Sequence, residues 1–406
     1  MTLRSMMTVS ELVSKAQTTE DVEFLRQAVE WLVHELMEEE VSASVGARRY
    51  ERTDDRLNQR NGYRDRDVNT RVGTIDARIP KLRKGSYFPE WLIERWRPTE
   101  RALMGVIMEA YVRGVSTRKM DALVREMGVE GIDKSAVSRI TKGLDERVRE
   151  FRNRPLDGVY PYLWLDATFI KVREGGRVVS MALVVAIGVR DTGEREILGF
   201  DLGGSEDGAF WREFLRGLKA RGLGGVQLVI SDAHQGLRDA IAGVFTGASW
   251  QRCRVHFMRN VLSHVAKSVQ EDVANQIRTI FAQPTHKAAW EQAGRVIQSL
   301  SQKHLKAAEI LEEAAEDILA HMHFPRSHWR RLHSTNPLER LNKEIKRRFR
   351  VVGIFPDQNS AIRLGGAVLL EQHEEWLAGR RYFSQESMDA IQSKTETDPA
   401  CANAAG

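Results

Sequence analysis

Three acidic residues stand where a carboxylate is costly unless something uses it. Asp166 interrupts the apolar run Tyr162-Leu163-Trp164-Leu165, and a charge inside a buried strand must be paired or hold a cation. Asp232 closes the run Leu228-Val229-Ile230-Ser231 just before a predicted helix, a place where aspartate is also an ordinary N-cap. Glu339 follows Asn336-Pro337-Leu338; asparagine suits an N-cap, proline the first turn, and a glutamate three residues on completes a capping box. Yet this helix carries six basic residues (Arg340, Lys343, Lys346, Arg347, Arg348, Arg350) against two acidic ones (Glu339, Glu344). Its apolar stripe Leu338, Leu341, Ile345 and Phe349 leaves Glu339, Lys343, Lys346 and Arg347 on another, exposed face. A carboxylate among cations on one helix suits a phosphodiester site, with a metal ligand beside phosphate clamps.

The three acids lie 66 and 107 residues apart. Converged, their hard oxygens would suit two Mg²⁺ ions, with Mn²⁺ able to substitute, for in-line displacement at phosphorus. Glu344 is a second candidate for the third ligand. Five residues turn an ideal helix about 140° away, so Glu339 and Glu344 cannot both face one metal pair. Cys253 and His256 form a Cys-x-x-His pair. Zinc would need two more ligands, and Cys401 lies in a polar tail, so this pair is expected to flank the site. His321, His323, His328 and His333, mixed with Arg326, Arg330 and Arg331, read as a polar, phosphate-facing surface.

The elements that must position these residues follow from patterning. Three strand-like runs at 161–172, 177–189 and 194–202 are joined by Gly175-Gly176 and Asp191-Thr192-Gly193, which predicts an antiparallel meander. A helix at 207–220, a strand at 226–230, a helix at 234–244 and a short strand at 249–252 follow. The order ββαβ after a meander implies an α/β domain with a mixed sheet. Residues 255–324 are helical throughout.

Between 56 and 84 nine basic residues face three acidic ones. The alternation at 72–80 predicts a strand, with Asn61-Gly62 and Gly85 as turns. Helices are expected at 99–112, after a Ser116 cap to Met127, and from Asp133 or Ser135 with Val137, Ile140, Leu144 and Val148 on one buried face. The last pair makes a plausible helix-turn-helix whose second helix exposes Lys134, Ser135, Ser138, Arg139 and Lys142 to a DNA major groove.

The 406 residues, 42 % hydrophobic and 29 % charged, fit a folded protein of several domains and exclude a disordered polymer. The longest apolar run, 181–189, is far short of a membrane span. With no secretory signal at the start and two cysteines, a cytoplasmic, nucleoid-associated protein is expected. Net charge is +5, and the 56–84 stretch alone exceeds that surplus.

As a set, the Asp166 strand, Ser231-Asp232-Ala233-His234-Gln235-Gly236-Leu237, Gln251-Arg252-Cys253-Arg254-Val255-His256 with Arg259-Asn260, and Thr335-Asn336-Pro337-Leu338-Glu339-Arg340-Leu341-Asn342 closely resemble the bacterial Mutator-type insertion-sequence transposases. The likeness covers most of the chain, including Asn58-Gln59-Arg60-Asn61-Gly62-Tyr63-Arg64 and Ile79-Pro80-Lys81-Leu82-Arg83. It implies an RNase H-like catalytic domain interrupted by an all-helical insertion, with the family's Asp-Asp-Glu triad on Asp166, Asp232 and Glu339 and its Cys-x-x-His signature on Cys253 and His256.

The expected organisation is therefore an N-terminal helical segment (1–45), a basic β-ribbon (46–98), a helix-turn-helix region (99–154), a catalytic core in two parts (155–260 and 331–383) around the insertion (261–330), and a disordered tail (384–406). The expected function is a transposase that holds the terminal inverted repeats of its element and joins their 3′ ends to target DNA. Arg60, Arg64, Arg66, Arg71, Lys81, Arg83, Lys84, Lys134, Ser135, Ser138, Arg139, Arg340, Lys343, Lys346 and Arg347 would contact DNA. Pairing two DNA ends implies a homodimer or larger assembly. The alternative is a sequence-specific repressor whose C-terminal domain only oligomerises; a general RNase H-like nuclease would cut without regard to terminal sequence.

Overall fold

The computed structural model describes residues 22–93, 99–126, 129, 134–204 and 207–397. They form two compact units, 1–144 and 145–406. The expected sites at Met127 and Asp133, and the side chain of Lys134, lie outside the described residues.

In the first unit, helix α1 (Val22–Val45) buries Val33, Met37, Val41 and Val45, one residue per turn. This stripe packs on an antiparallel hairpin of β1 (Arg60–Thr70) and β2 (Gly73–Leu82) through Val68, Ile75, Ala77 and Ile79. Gly62 (φ +76°) does not make the expected turn: it sits inside β1, where the register shifts between Arg60 and Tyr63. Its left-handed backbone accommodates the extra residue of a bulge. Helices α2 (Arg101–Val112), α3 (Thr117–Glu126) and α4 (Lys134–Thr141) share a core of Leu103, Ile107, Met120, Val124, Val137 and Ile140. Ser116 Oγ accepts from Lys119 N at the start of α3. The single helix expected to run from 133 or 135 past Val148 ends at Thr141, where Gly143 N turns back to Ile140 O; Leu144 opens a separate helix, α5 (Leu144–Asn153).

The second unit is built on a five-stranded sheet in the order β5-β4-β3-β6-β7. Its strands are β3 (Tyr162–Glu174), β4 (Arg177–Val189), β5 (Arg195–Gly203), β6 (Leu228–Ser231) and β7 (Ser249–Arg252). The first three are antiparallel, and β3–β6 and β6–β7 are parallel, so the expected mixed sheet is present. Side chains alternate across a strand. Leu163 and Leu165 of β3 lie under α6 (Gly208–Ala220) and α7 (Gln235–Val244), with Trp211, Leu215, Leu237 and Ile241. Tyr162, Trp164 and Asp166 take the opposite face. There Tyr162 meets Phe324, His328 and Phe383, and Trp164 Nε1 donates to Ser334 O at 3.2 Å.

After β7 the chain runs into helices α8 (Arg254–Ser263), α9 (Gln270–Phe281), α10 (His286–Ser301) and α11 (Leu305–Leu319), which share their own apolar core. The helical insert closes where it opened: Arg254 N donates to His333 O at 2.9 Å. A short α12 (Trp329–Leu332) leads to the basic helix α13 (Asn336–Val352), then α14 (Gln358–Ala378). Gly366 lets α14 approach the sheet, since a Cβ there would stand 2.4 Å from Val148 Cγ1 and 2.8 Å from Phe200 Cζ. Of the stretch 384–406 expected to be a disordered tail, residues 385–397 instead form helix α15 (Gln385–Thr397), and 398–406 lie outside the described residues. Met388 and Ile391, on one helical face, are buried, and Tyr382 N and Phe383 N both donate to Gly193 O just before the helix.

Candidate active site

The β3–β6 ladder pairs Tyr162 with Leu228 and Trp164 with Ile230, an offset of 66 residues. Extended by two residues, one past the end of β6, that register aligns Asp232 with Asp166, on parallel strands whose spacing is about 4.8 Å. The separation of the two acids along the chain is thus the register of the sheet. Both are partly buried. Asp232 does not cap the following helix: α7 begins at Gln235 with His234 as its N-cap, and Asp232 reaches His234 N only at 3.4 Å.

Glu339 comes from the other side, on α13. The stripe Leu338, Leu341, Ile345 and Phe349 is buried as expected, while Arg340, Lys343, Lys346 and Arg347 are exposed and Glu339 is partly so. The capping box does not form. Thr335, not Asn336, is the N-cap, so Glu339 stands at the fourth helical position, and Thr335 makes no side-chain cap bond. Its hydroxyl and amide instead donate to Cys253 Sγ, at 3.3 and 3.4 Å. One turn after Glu339, Asn342 donates its amide to Asp166 Oδ2 at 2.8 Å, while Ala167 N donates to Oδ1 at 2.9 Å. Asn342 went unmarked in the sequence; its position three residues after Glu339 was the available signal.

Glu344 is otherwise engaged. Arg347 and Arg348 hold it at 2.7 Å, and Arg348 also pairs with Glu371. The hydrogen bond from Arg347 is the main reason its carboxyl is held down to about 2. Glu344 therefore belongs to an ion-pair network rather than to the acid pair.

Cys253 and His256 flank the acids. Cys253 N donates to Ser231 O at 2.7 Å, immediately before Asp232. Burial alone would raise its thiol, but hydrogen bonds from His256 and Thr335 hold it below the ordinary value. His256 is pushed up, chiefly by its bond with Cys253 and further by the charges of Asp166 and Asp232. Cys253 thus ties the Asp232 strand to the start of the glutamate helix, and His256 faces both aspartates. Among the described residues, no three His, Cys, Asp or Glu side chains gather closely enough to hold a metal ion.

Of the four expected phosphate-facing histidines, His323 is exposed as expected, whereas His321 and His328 are buried and His333 is partly buried. Desolvation pushes His321 down to about 3 and His328 and His333 down to about 4, so they are neutral. His328 shares a 2.8 Å hydrogen bond with the Tyr162 hydroxyl, and His321 Nδ1 donates to Gln251 Oε1. They brace the sheet against the insert.

In the first unit, Arg64, Lys81, Arg83 and Lys84 are exposed. Arg83 and Lys84, with Arg56, Leu57, Asn58 and Gln59, line a cleft of about 400 Å³. Arg60 is spent internally on Glu38, Ser42 and Ala47 O, and Arg71 pairs with Glu100. Arg66 is partly buried over Phe88. Ser135, Ser138 and Arg139 are exposed on α4.

The chain belongs to the Mutator family of transposases, whose family model matches residues 1–379. Within that class it is 48 % identical over 387 residues to the transposase for insertion sequence element IS1081 of Mycobacterium tuberculosis, covering 94 % of this chain and 93 % of that one. It is 42 % identical over 355 residues to the transposase for IS256 in transposon Tn4001 of Staphylococcus aureus, covering 86 % and 90 %. To the transposase for ISRM5 of Rhizobium meliloti it is 40 % identical over 364 residues, covering 90 % and 91 %. Among the described residues no helix is long and apolar enough to cross a membrane.

Proposed function

We propose that the second unit is an RNase H-like DNA strand transferase in which Asp166, Asp232 and Glu339 form the reacting centre. The observation that carries this reading is the β3–β6 register, which extended past Ser231 aligns Asp232 with Asp166, with Asn342 of the glutamate helix bonded to Asp166. The donor chemistry suits divalent metal, since all three offer hard oxygens and are partly exposed, although no three such side chains gather closely enough to hold an ion among the described residues. Held by these oxygens, two Mg²⁺ ions would activate the attacking oxygen and stabilise the leaving one.

The chain's own residues supply the rest. Asn342 and Ala167 N fix the Asp166 carboxylate, Cys253 fixes the start of α13, and Arg340, Lys343 and Lys346 provide the positive face along which a phosphate backbone would lie. In the cutting step a water oxygen bonds to phosphorus, the P–O3′ bond breaks, and the 3′ oxygen leaves as a hydroxyl. In the joining step that hydroxyl attacks a target phosphodiester in the same sense. Within the first unit, the hairpin cations Arg64, Lys81, Arg83 and Lys84 and the exposed face of α4 would hold the terminal inverted repeats, with α3 and α4 acting as a helix-turn-helix. A dimer or larger assembly would bring two ends together.

The test is cleavage and strand transfer of a labelled terminal-repeat duplex in Mg²⁺. Asp166→Ala, Asp232→Ala and Glu339→Ala each abolish both steps while binding to the duplex stays within a few-fold. Full activity in any of them overturns the assignment. Binding without nicking by the unaltered protein would favour the repressor reading.

A further inference from the structure

Arg195, at the first position of β5, is partly buried, and its guanidinium lies 3.7 Å from the Trp376 ring centre and 4.6 Å from that of Tyr382. Arg331 on α12 covers the other side of the same aromatic wall, 4.9 Å from Tyr382 and 5.1 Å from Phe383. Burial, with the like charges of Arg340 and Arg331 nearby, pushes the Arg195 guanidinium down to about 10. Its Nε is buried and has no hydrogen-bond partner among the described residues. Of the adjacent carboxylates in sequence, Glu194 turns to Arg381 and Glu196 to Arg154 and Arg190. Arg195 and Arg331 therefore share one aromatic wall, Arg340, the sequence neighbour of Glu339, lies close enough to act on Arg195, and none of the three forms an ion pair with a carboxylate among the described residues.

Stacking on rings offsets part of the cost of such a cluster, but a half-buried guanidinium with like charges around it is stabilised fully only by an anion. A ring-clamped guanidinium also keeps its fork rigid, the geometry that suits phosphate. We propose that Arg195, Arg331 and Arg340 form a binding site for a DNA backbone phosphate next to the scissile position. A polyanion fits better than a free phosphate because the site continues into the exposed cations Lys343 and Lys346 along α13. The proposal rests on the strand-transferase reading for its placement of the DNA, and not for the anion chemistry.

The experiment measures binding of the full chain to a labelled terminal-repeat duplex across a salt series, with cleavage followed in parallel. The exposed pair is neutralised in Arg331→Gln/Arg340→Gln, and Arg331→Lys/Arg340→Lys keeps the charge. The neutral pair should lower the slope of log affinity against log salt by about two and weaken binding at least tenfold at about 0.1 M salt, with the lysine pair close to wild type. In wild-type protein, one methylphosphonate linkage beside the cut should weaken binding, and the same linkage should cost nothing further in the neutral pair. An unchanged slope, or a linkage effect equal in both proteins, overturns the site. Inorganic phosphate that binds wild type while the duplex slope stays unchanged would mark a free-anion site and also overturn the proposal. Should wild-type protein fail to cut DNA while the slope still changes, the transferase reading falls and the phosphate site stands.

Discussion

Asn342 of the basic helix donates its amide to Asp166 Oδ2 across 2.8 Å, joining two elements 176 residues apart. This bond orients a carboxylate on the central strand and at the same time fixes the rotation of α13, which carries Glu339 one turn earlier. Asn342→Ala should lower strand cleavage about 10- to 100-fold, the range typical of groups that orient metal-binding side chains. Binding to the duplex should change less than about threefold. Single-turnover cleavage beside equilibrium binding checks this, and an equal loss in both would assign Asn342 to DNA contact instead.

Cys253 accepts from Thr335 and donates its own amide to Ser231 O. Cys253→Ala removes the acceptor and leaves the buried Thr335 hydroxyl and amide unpaired, which should cost about 1–3 kcal/mol in urea unfolding. Cys253→Ser restores an acceptor of smaller size and should recover part of that loss. The same order, wild type above Ser above Ala, is expected for cleavage rate.

The buried histidines make stability depend on pH. Burial holds the His328 imidazole down to about 4 in the folded chain, against about 6.5 for a free histidine. Its lowered value means the unfolded chain binds the proton more readily, so its contribution is fully present above pH 6.5 and is lost as pH falls through 4. A shift of this size corresponds to about 3 kcal/mol. Unfolding free energy should fall between pH 7 and 4, and more shallowly in His328→Gln. An equally steep fall in that variant would remove His328 as a cause.

Glycine substitutions should separate close approach from open helix surface. Gly366→Ala sets a methyl against Val148 and Phe200; overpacking at about 1–3 kcal/mol outweighs the gain of about 1 kcal/mol in helix propensity. Gly294 in α10 has nothing within 4 Å of a Cβ, so Gly294→Ala should stabilise by about 0.5–1 kcal/mol. Thermal unfolding of the two variants should move in opposite directions.

The strands and helices between 161 and 252 were legible because each apolar run is bounded by a turn pair such as Gly175-Gly176 and matches one period throughout. Asp166 stood out for the same reason, as a charge that broke a clean pattern. Asp232 and Glu339 were legible as residues, but their placement was not, since register and helix rotation come from long-range packing. Glu339 also looked like a cap, and only the start of α13 at Asn336 and the use of Thr335 by Cys253 exclude that. His321 and His328 lie among arginines in the sequence but fold inward, a direction that the 320–333 segment takes only against the sheet, while His323 stays exposed. The helix at 385–397 was hidden by its polarity, since two buried residues, Met388 and Ile391, are enough to dock it.

The bond from Arg254 N to His333 O sets the two ends of the helical insert side by side. A segment that leaves and rejoins its host at one point can grow, shrink or be exchanged with little entropic cost to the rest. The sheet is the trunk and the insert a graft, so the insert can evolve while the strand that carries Asp166 stays unchanged.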